Sequence, residues 1–268
     1  MGAALGQHYL IDSSVVRDIT IAVAPVKEDV VFEIGPGRGV LTEPLLATGT
    51  KVVAVEIDPK LTNFLRKKLR AYPNLELVND DVMRYGFTKK FGELKLGTTG
   101  RILIAANLPY YISTPIIRKV LSLPQWAYAV IMVQNEVGQR MCAAPGSKRY
   151  GILSIATQAY ASTEIVRRVP AVAFKPVPKV ESIIVKLTRR ATPLVPAEIE
   201  DTFFAIVHAA FGQRRKTLAN TLDGYAGISK DGITQKLTVA GIDPSARAET
   251  LSIEQFILIT KTLHTFVR

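Results

Sequence analysis

Short apolar runs separated by polar turns recur along the first two thirds of the chain. Runs rich in β-branched residues favour buried strands, whereas apolar residues that recur every three or four positions favour amphipathic helices. On this basis we predict strands at 30–34, 51–57, 75–78, 102–105, 128–133, 166–172 and 182–187. We predict helices at 14–23, 40–47, 113–121 and 135–141, and either a helix or a pair of strands at 152–161.

The pattern changes near residue 191. Pro193 and Pro196 mark a linker. Beyond the linker the pattern predicts only helices, at 198–211, 233–240 and 253–266. Because strands that alternate with helices are typical of a parallel α/β sheet, we expect a Rossmann-like α/β domain at 1–190 and a small all-helical domain at 191–268.

A glycine loop follows the first predicted strand. It reads Gly35-Pro36-Gly37-Arg38-Gly39 and precedes a helix. Glycines allow a backbone to approach a ligand without a Cβ in the way, so Gly35 and Gly37 are candidate ligand contacts. Glu56 ends the next strand, 21 positions after Gly35, close to the spacing at which a carboxylate meets the hydroxyls of a ribose. The arrangement predicts a nucleotide-binding unit.

The spacing of the glycines separates two classes of nucleotide. A dinucleotide site reads Gly-x-Gly-x-x-Gly and seats a pyrophosphate on the helix N-terminus, but position 40 here is Val40. S-adenosylmethionine has no pyrophosphate and carries a positive ammonium and a positive sulfonium, which Glu33 before the loop suits. We therefore predict S-adenosylmethionine as the ligand, with an NAD-dependent dehydrogenase as an alternative.

The fourth predicted strand ends in Asn107-Leu108-Pro109-Tyr110. Asn107 offers an amide, Pro109 has no N–H to compete for nearby carbonyl oxygens, and Tyr110 offers a ring on which a base can stack. These groups suit the exocyclic amino group of a flipped-out purine. The structural alternative is a proline turn with a packed Tyr. Asp81, at the end of the third strand, is placed to accept from an adenine amino group.

The chain has a formal net charge of +11, which favours a polyanionic partner. Residues 166–216 contain ten Lys or Arg and four acidic residues, a density typical of a phosphate-binding surface. Phe174 begins a proline-stiffened loop and is either a second stacking platform for the target base or a core residue. Five basic residues are predicted to bind nucleic acid: Lys175, Lys179, Arg214, Arg215 and Lys216.

The sequence lacks the features of a metal site, an intrachain disulfide or a membrane segment. No apolar run reaches the roughly 18 residues that span a bilayer, and residues 1–12 lack the segments of a signal peptide. Cys142 is the only cysteine, and the three histidines do not have metal-ligand spacing. We expect a cytoplasmic monomer that binds neither metal nor membrane.

Several motifs together carry a resemblance to the rRNA adenine N6,N6-dimethyltransferases of the small ribosomal subunit. They are Gly6-Gln7-His8-Tyr9-Leu10, Glu33-Ile34-Gly35-Pro36-Gly37, Glu56-Ile57-Asp58, Asp81, Asn107-Leu108-Pro109-Tyr110, the stretch from Phe174 to Ser182, and the stretch from Phe211 to Leu218. The resemblance runs nearly from end to end. It departs from the commonest family pattern at His8 and Tyr111, where many members have Asn.

This resemblance implies a class I methyltransferase fold. It implies dimethylation of N6 on two adjacent adenosines of small-subunit rRNA. The substrate would be the pre-ribosomal small subunit during ribosome biogenesis, and S-adenosylhomocysteine would be the product. Asn107, Leu108, Pro109 and Tyr110 would hold the adenine. The residues that would contact S-adenosylmethionine are His8, Leu10, Gly35, Glu56, Asp81 and Asn107.

Two further functions share this pattern. A large-subunit rRNA adenine methyltransferase of the antibiotic-resistance type has the same pocket motifs and differs in its RNA substrate. A non-catalytic ribosome-assembly or transcription factor on the same fold would have lost the chemistry. The intact motif at 107–110 and the acidic set Glu33, Glu56 and Asp81 argue against that loss.

Overall fold

Seven apolar segments form one sheet in the computed structural model, which describes residues 8–94, 96–213 and 215–264. In chain order its strands are β2 (Val30–Ile34), β3 (Lys51–Glu56), β4 (Leu75–Asn79), β5 (Ile102–Asn107), β6 (Trp126–Gln134), β7 (Ala161–Val169) and β9 (Ser182–Arg189). The order across the sheet is β4-β3-β2-β5-β6-β9-β7. The first five strands of that order are parallel, and β9 is antiparallel to β6. The short strands β1 (Tyr9–Leu10) and β8 (Phe174–Lys175) form a separate antiparallel pair.

Aspartate side chains cap two of the helices. Asp12 accepts a hydrogen bond from the Ser14 backbone at 2.8 Å and begins the first helix. Asp58 does the same for Lys60 at 2.7 Å. Such side chains satisfy backbone N–H groups that have no partner inside the helix. The helices of this part of the chain are α1 (Ser13–Val23), α2 (Thr42–Ala47), α3 (Pro59–Lys68), α4 (Phe87–Glu93), α5 (Ser113–Ser122) and α6 (Asn135–Met141).

The chain divides by its contacts into two compact units. The first holds the sheet and contains the described residues up to Gly138 together with Ser162–Arg189. In it, β2 is buried along its whole length and β5 up to its last residue, as expected for central parallel strands covered on both faces. The first unit therefore has the predicted Rossmann-like α/β architecture.

The second unit is helical. It contains Gln139–Ala161 and the described residues from Arg190 onward. Its core includes the fully buried rings of Phe203 and Phe256. Residues 139–161 thus group with the C-terminal helices, although they precede the linker predicted at 191. The helices of this unit are α7 (Ile152–Tyr160), α8 (Glu200–Phe211), α9 (Leu218–Thr221), α10 (Lys230–Val239) and α11 (Ile253–His264).

The structure decides one open alternative, corrects the end of one predicted strand and adds elements that the pattern does not predict. The segment left open at 152–161 is helix α7, not a pair of strands. The strand predicted at 166–172 ends at Val169, because Pro170 has no N–H to continue a ladder, and a short 3-10 helix follows at Ala171–Ala173. The pattern also misses α4 and the β1–β8 pair, which are too short to show periodicity.

Candidate active site

One pocket lies at the carboxyl ends of the parallel strands, in the first unit. Ligands of open α/β sheets bind at this edge. The loops after β2, β4 and β5 and the end of β3 all contribute to its wall. Ten of the residues predicted for the ligand or the base line it, and they are His8, Gly35, Gly37, Glu56, Asp81, Asn107, Leu108, Pro109, Tyr110 and Phe174.

The glycine loop is open toward this pocket. Gly35 and Gly37 have φ angles of +67° and +58°, a region that side chains other than glycine rarely adopt. A Cβ on Gly35 would meet nothing within 4 Å, so the backbone itself faces free space. A Cβ on Gly37 would lie 3.8 Å from the ring of Tyr9. The loop therefore leaves room for a ligand to approach its backbone.

Glu56 is held by backbone donors on both sides. The N–H of Gly37 donates to its Oε2 at 3.0 Å, and the N–H of Asp58 donates to its Oε1 at 3.0 Å. The residue is 3% exposed and still lines the pocket. The two contacts fix the rotamer of a negatively charged group at the end of β3. Each carboxylate oxygen has a second lone pair for a ligand.

Glu33 lies on β2, two residues before Gly35, and is buried. Its Oε2 has no hydrogen-bond partner in the part of the chain that the structure describes. Burial raises the pKa of Glu33 to about 8, the Thr42 hydroxyl opposes this rise, and the negative charge of Glu56 adds to it. Glu33 does not line the pocket, so its predicted role toward a cationic ligand would act at a distance.

The segment after β5 presents an amide without an internal partner. Within the described residues the Asn107 side chain makes no hydrogen bond, although it lines the pocket. The N–H of Leu108 donates to the Met132 carbonyl at 3.0 Å, which anchors the turn to β6. The Pro109 carbonyl already accepts from the N–H of Ile112 at 3.2 Å. Asn107 is thus the polar group most available to a bound base.

Tyr110 is fixed on two sides. Its hydroxyl and the hydroxyl of Ser182, at the start of β9, lie 2.7 Å apart in a hydrogen bond. Its ring stacks on the imidazole of His8, with centroids 5.7 Å apart and an interplanar angle of 29°. Burial raises the pKa of the Tyr110 phenol. The Tyr110 ring therefore stays neutral and oriented at the pocket wall.

The β1–β8 pair brings the N-terminal arm to the pocket. Leu10 pairs with Phe174, and Nδ1 of His8 donates to the Pro176 carbonyl at 2.8 Å. A proton on Nδ1 leaves Nε2 of a neutral imidazole as an acceptor. Phe174 is 1% exposed and packs in the core, which agrees with the core alternative, yet its ring also lines the pocket. Leu10 is buried in the same core and does not line the pocket.

The Asp81 loop is ordered by its own hydrogen bonds. Asp81 Oδ1 accepts from the Met83 backbone at 2.8 Å, and the Asp81 carbonyl accepts from Arg84 and Tyr85. Asp80 and Val82 line the pocket beside Asp81. The loop therefore presents two carboxylates and one apolar side chain.

The structure adds pocket residues that the sequence analysis did not single out. Tyr9 and Ile116 line the wall, and the guanidinium of Arg38 lies 4.4 Å from the centroid of the Tyr9 ring. Tyr9 reaches the wall through the pairing of β1 with β8, which no local pattern signals. Ile116 follows from the apolar face of α5.

The predicted RNA-binding residues lie in both units and are described separately. Lys175 and Lys179 are exposed in the first unit. Arg215 and Lys216 are exposed in the second. Arg214 lies outside the described residues.

The described residues contain neither a metal-binding cluster nor a membrane-spanning helix. No group of three or more His, Cys, Asp or Glu side chains is placed to hold a metal ion. Among the helices that the structure describes, none is long and apolar enough to cross a bilayer.

Comparison with known proteins identifies the family. Residues 3–265 match the family described as ribosomal RNA adenine dimethylase. The ribosomal RNA small subunit methyltransferase A of Moorella thermoacetica is 45% identical over 96% of this chain and 91% of the relative. A dimethyladenosine transferase from Plasmodium falciparum superposes with a TM-score of 0.82 at 26% identity, over 97% of this chain and 98% of that one. The 23S rRNA methyltransferase ErmE superposes with a TM-score of 0.73 at 26% identity, over 96% and 99%. The chain therefore belongs to the ribosomal RNA adenine dimethylase family.

Proposed function

We propose that this protein dimethylates N6 of adenosines in small-subunit rRNA during ribosome biogenesis, with S-adenosylmethionine as the methyl donor. The observation that carries the proposal is the Asn107 amide, which lines the pocket without an internal hydrogen bond. The same pocket contains the open glycine loop and Glu56. The proposal therefore puts the donor and the base next to each other in one pocket.

The charges that line the pocket fit a cationic donor. Among the described residues of its wall, Glu56, Asp80 and Asp81 are acidic and none is Lys or Arg. The pyrophosphate of NAD would meet these carboxylates without a neutralising cation. The ammonium and sulfonium of S-adenosylmethionine are attracted to them. We assign Glu56 to the ribose, Asp81 with Val82 to the adenine of the donor, and Gly35, Gly37 and His8 to its methionine part. Leu10 supports these contacts from the core.

Catalysis follows from how the chain would hold the adenine. The N6 lone pair of adenine is delocalised into the ring, which makes it a poor nucleophile. Acceptance of the N6 protons by the Asn107 side chain and the Leu108 carbonyl favours a more tetrahedral nitrogen. The Pro109 carbonyl contributes less, because it is already engaged by Ile112. Tyr110 stacks on the base and offsets part of the few kcal/mol that flipping costs.

The methyl transfer needs no strong base. The N6 lone pair forms the new C–N bond while the sulfonium C–S bond breaks, and the C–S electron pair stays on sulfur. The N6 ammonium that results is acidic and loses its proton to water. The chain's contribution is the orientation of two bound reactants, which is worth many molar in effective concentration.

Two observations favour the small subunit over the large subunit as substrate. The relative with 45% identity is named a small-subunit enzyme. The 23S enzyme is a structural match at 26% identity. Lys175, Lys179, Arg214, Arg215 and Lys216 would contact rRNA phosphates. We also propose that the protein acts as a monomer in the cytoplasm.

The decisive test uses Asn107→Ala. Purified wild type, incubated with labelled methyl donor and unmethylated small subunits, should yield dimethyladenosine that primer extension maps to adjacent positions. The variant should lose methyl transfer by at least about a hundredfold, as expected when a group that acts in the transition state is removed, and should unfold at the wild-type temperature. Large subunits serve as the negative substrate. Normal turnover by the variant, or methylation of large subunits alone, would refute the assignment.

A further inference from the structure

An exposed helical face begins at the mouth of the pocket. Tyr111 lies in the 3-10 helix Tyr110–Ile112 that leads into α5, lines the pocket, and is 64% exposed. Pro115, Arg118 and Ser122 are also exposed. Their spacing from Tyr111 onward is four, three and four positions, which places them on one side of a helix. Arg118 lies roughly 10 Å from Tyr111 along the axis, at about 1.5 Å per residue.

A shallow groove lies beside this face. Its wall includes Met83, Thr114, Arg118 and Lys119. The ammonium of Lys119 donates to the Met83 carbonyl at 2.6 Å, which ties the loop after β4 to α5. Asp81 and Val82, just before Met83 in the chain, line the pocket on the side that we assign to the adenine of the donor, and Tyr111, just before Thr114, lines it as well.

Packing does not explain the Tyr111 ring. Within the described residues Tyr111 makes no hydrogen bond and no ring contact. Arg118 has no ion-pair partner in the part of the chain that the structure describes. An unpartnered ring and an unpartnered cation thus share one face next to the pocket.

We propose that Tyr111 is a stacking platform for the nucleotide next to the target adenosine, and that the RNA strand then follows the exposed face of α5, where Arg118 contacts a phosphate. This inference rests on the proposed function. Because Tyr110 is assigned to the target base, we assign Tyr111, the next ring along the chain, to the adjacent nucleotide. Stacking tolerates any base, because every base has a π-face. The positive charge of Arg118 complements RNA phosphate, which favours RNA over an apolar protein partner.

The first test separates the ring from its hydroxyl. Full-length Tyr111→Ala, Tyr111→Leu and Tyr111→Phe are compared with Phe64→Ala, which removes a 47% exposed ring from α3 outside the pocket wall. The assays are KM and kcat for unmethylated small subunits, and fluorescence anisotropy with a labelled single-stranded RNA that contains two adjacent adenosines.

The Ala and Leu variants should raise KM and the RNA Kd about 5- to 150-fold, the change that corresponds to roughly 1–3 kcal/mol of stacking at about 1.4 kcal/mol per tenfold. Tyr111→Phe should stay within about twofold of wild type, because its ring keeps the same π-face. Phe64→Ala should match wild type. Affinity for S-adenosylhomocysteine should be unchanged in all four.

The second test concerns the phosphate contact. Arg118→Gln should reduce the slope of log Kd against log salt by about one, as loss of one phosphate contact predicts. Arg70→Gln removes the same charge from an exposed position after α3 and should leave the slope unchanged.

Several results would overturn the proposal. An unchanged KM in Tyr111→Ala, or equal losses in the Phe and Ala variants, would rule out stacking. Weaker binding to subunits with unchanged binding to free RNA would indicate a ribosomal protein at this face. A wild type that transfers no methyl group would refute the proposed function alone, because the oligonucleotide assay measures the role of Tyr111 by binding.

Discussion

The two sides of the pocket are held by different kinds of contact. On the donor side, which we define as Gly35, Gly37, Glu56 and Asp81, the polar groups bond to nearby backbone. Glu56 reaches N–H groups that are 19 and 2 positions away. On the base side, which comprises Phe174 and residues 107–110, the hydroxyl of Tyr110 pairs with a residue 72 positions away. The His8 ring that stacks on Tyr110 bonds to a residue 168 positions away.

This difference shows how one pocket combines two binding tasks. The donor side is built from consecutive strand–loop–helix units, so its geometry forms together with those units. The base side depends on β9 and on the β1–β8 pair, which join distant parts of the chain. Substitutions on the donor side should therefore reduce donor affinity and stability, whereas those on the base side should reduce turnover while the donor still binds.

The largest effect on donor affinity should come from Glu56→Gln. An amide has one acceptor oxygen, so either Gly37 or Asp58 would lose its partner, and a buried donor without one costs about 1–3 kcal/mol. We expect S-adenosylhomocysteine to bind at least about tenfold more weakly, since hydrogen bonds to charged groups contribute about 1.5–3 kcal/mol. Titration calorimetry and thermal unfolding measure both effects. Glu43→Gln, on the exposed surface of α2, is the matched control. Unchanged affinity would exclude Glu56 as a donor contact.

A smaller effect should follow from Tyr110→Phe and Ser182→Ala. Each removes the hydrogen bond that fixes the Tyr110 ring, which is worth about 0.5–1.5 kcal/mol. We expect kcat/KM for small subunits to fall about two- to tenfold in each, with donor affinity at the wild-type level. The kcat/KM of the double variant should be no lower than that of the more impaired single variant, because both substitutions remove the same contact. Additive losses would show that the two hydroxyls act separately.

The smallest effect on activity should come from Glu33, for which the prediction concerns the pH dependence of stability. Its folded pKa of about 8 lies above the ordinary value of 4.5, so the folded state holds this proton more tightly than the unfolded state. The stability that this proton contributes is therefore fully present below about pH 4.5 and is lost as the pH rises toward 8. Glu33→Gln cannot lose a proton there.

The Glu33→Gln variant should unfold near the wild-type temperature at pH 5 and above it at pH 9. We expect a difference of at least about 3 °C at pH 9, since 1 kcal/mol shifts the unfolding temperature of a chain of this size by about 2–4 °C. Differential scanning calorimetry across this range gives the comparison. A difference that is constant with pH would mean that Glu33 is ionised throughout.

Local chemistry explains what the sequence by itself determined. Asp12 and Asp58 cap helices through contacts that are local in the sequence, because a cap bonds only to N–H groups two or three residues away. The glycine loop, the acid that ends β3 and the motif after β5 each follow an apolar strand. Parallel strands end at one edge of a sheet, so these segments meet there without further information.

Only the tertiary structure decided the remainder, because burial and long-range pairing depend on residues far apart in the chain. Phe174 is closed into the core by its pairing with Leu10, which no local pattern encodes. Residues 152–160 are helical and pack with the C-terminal helices, although their short apolar run suits a strand equally well. The raised pKa of Glu33 and the fixed ring of Tyr110 likewise arise from desolvation and from a hydroxyl on β9, which are properties of the folded chain alone.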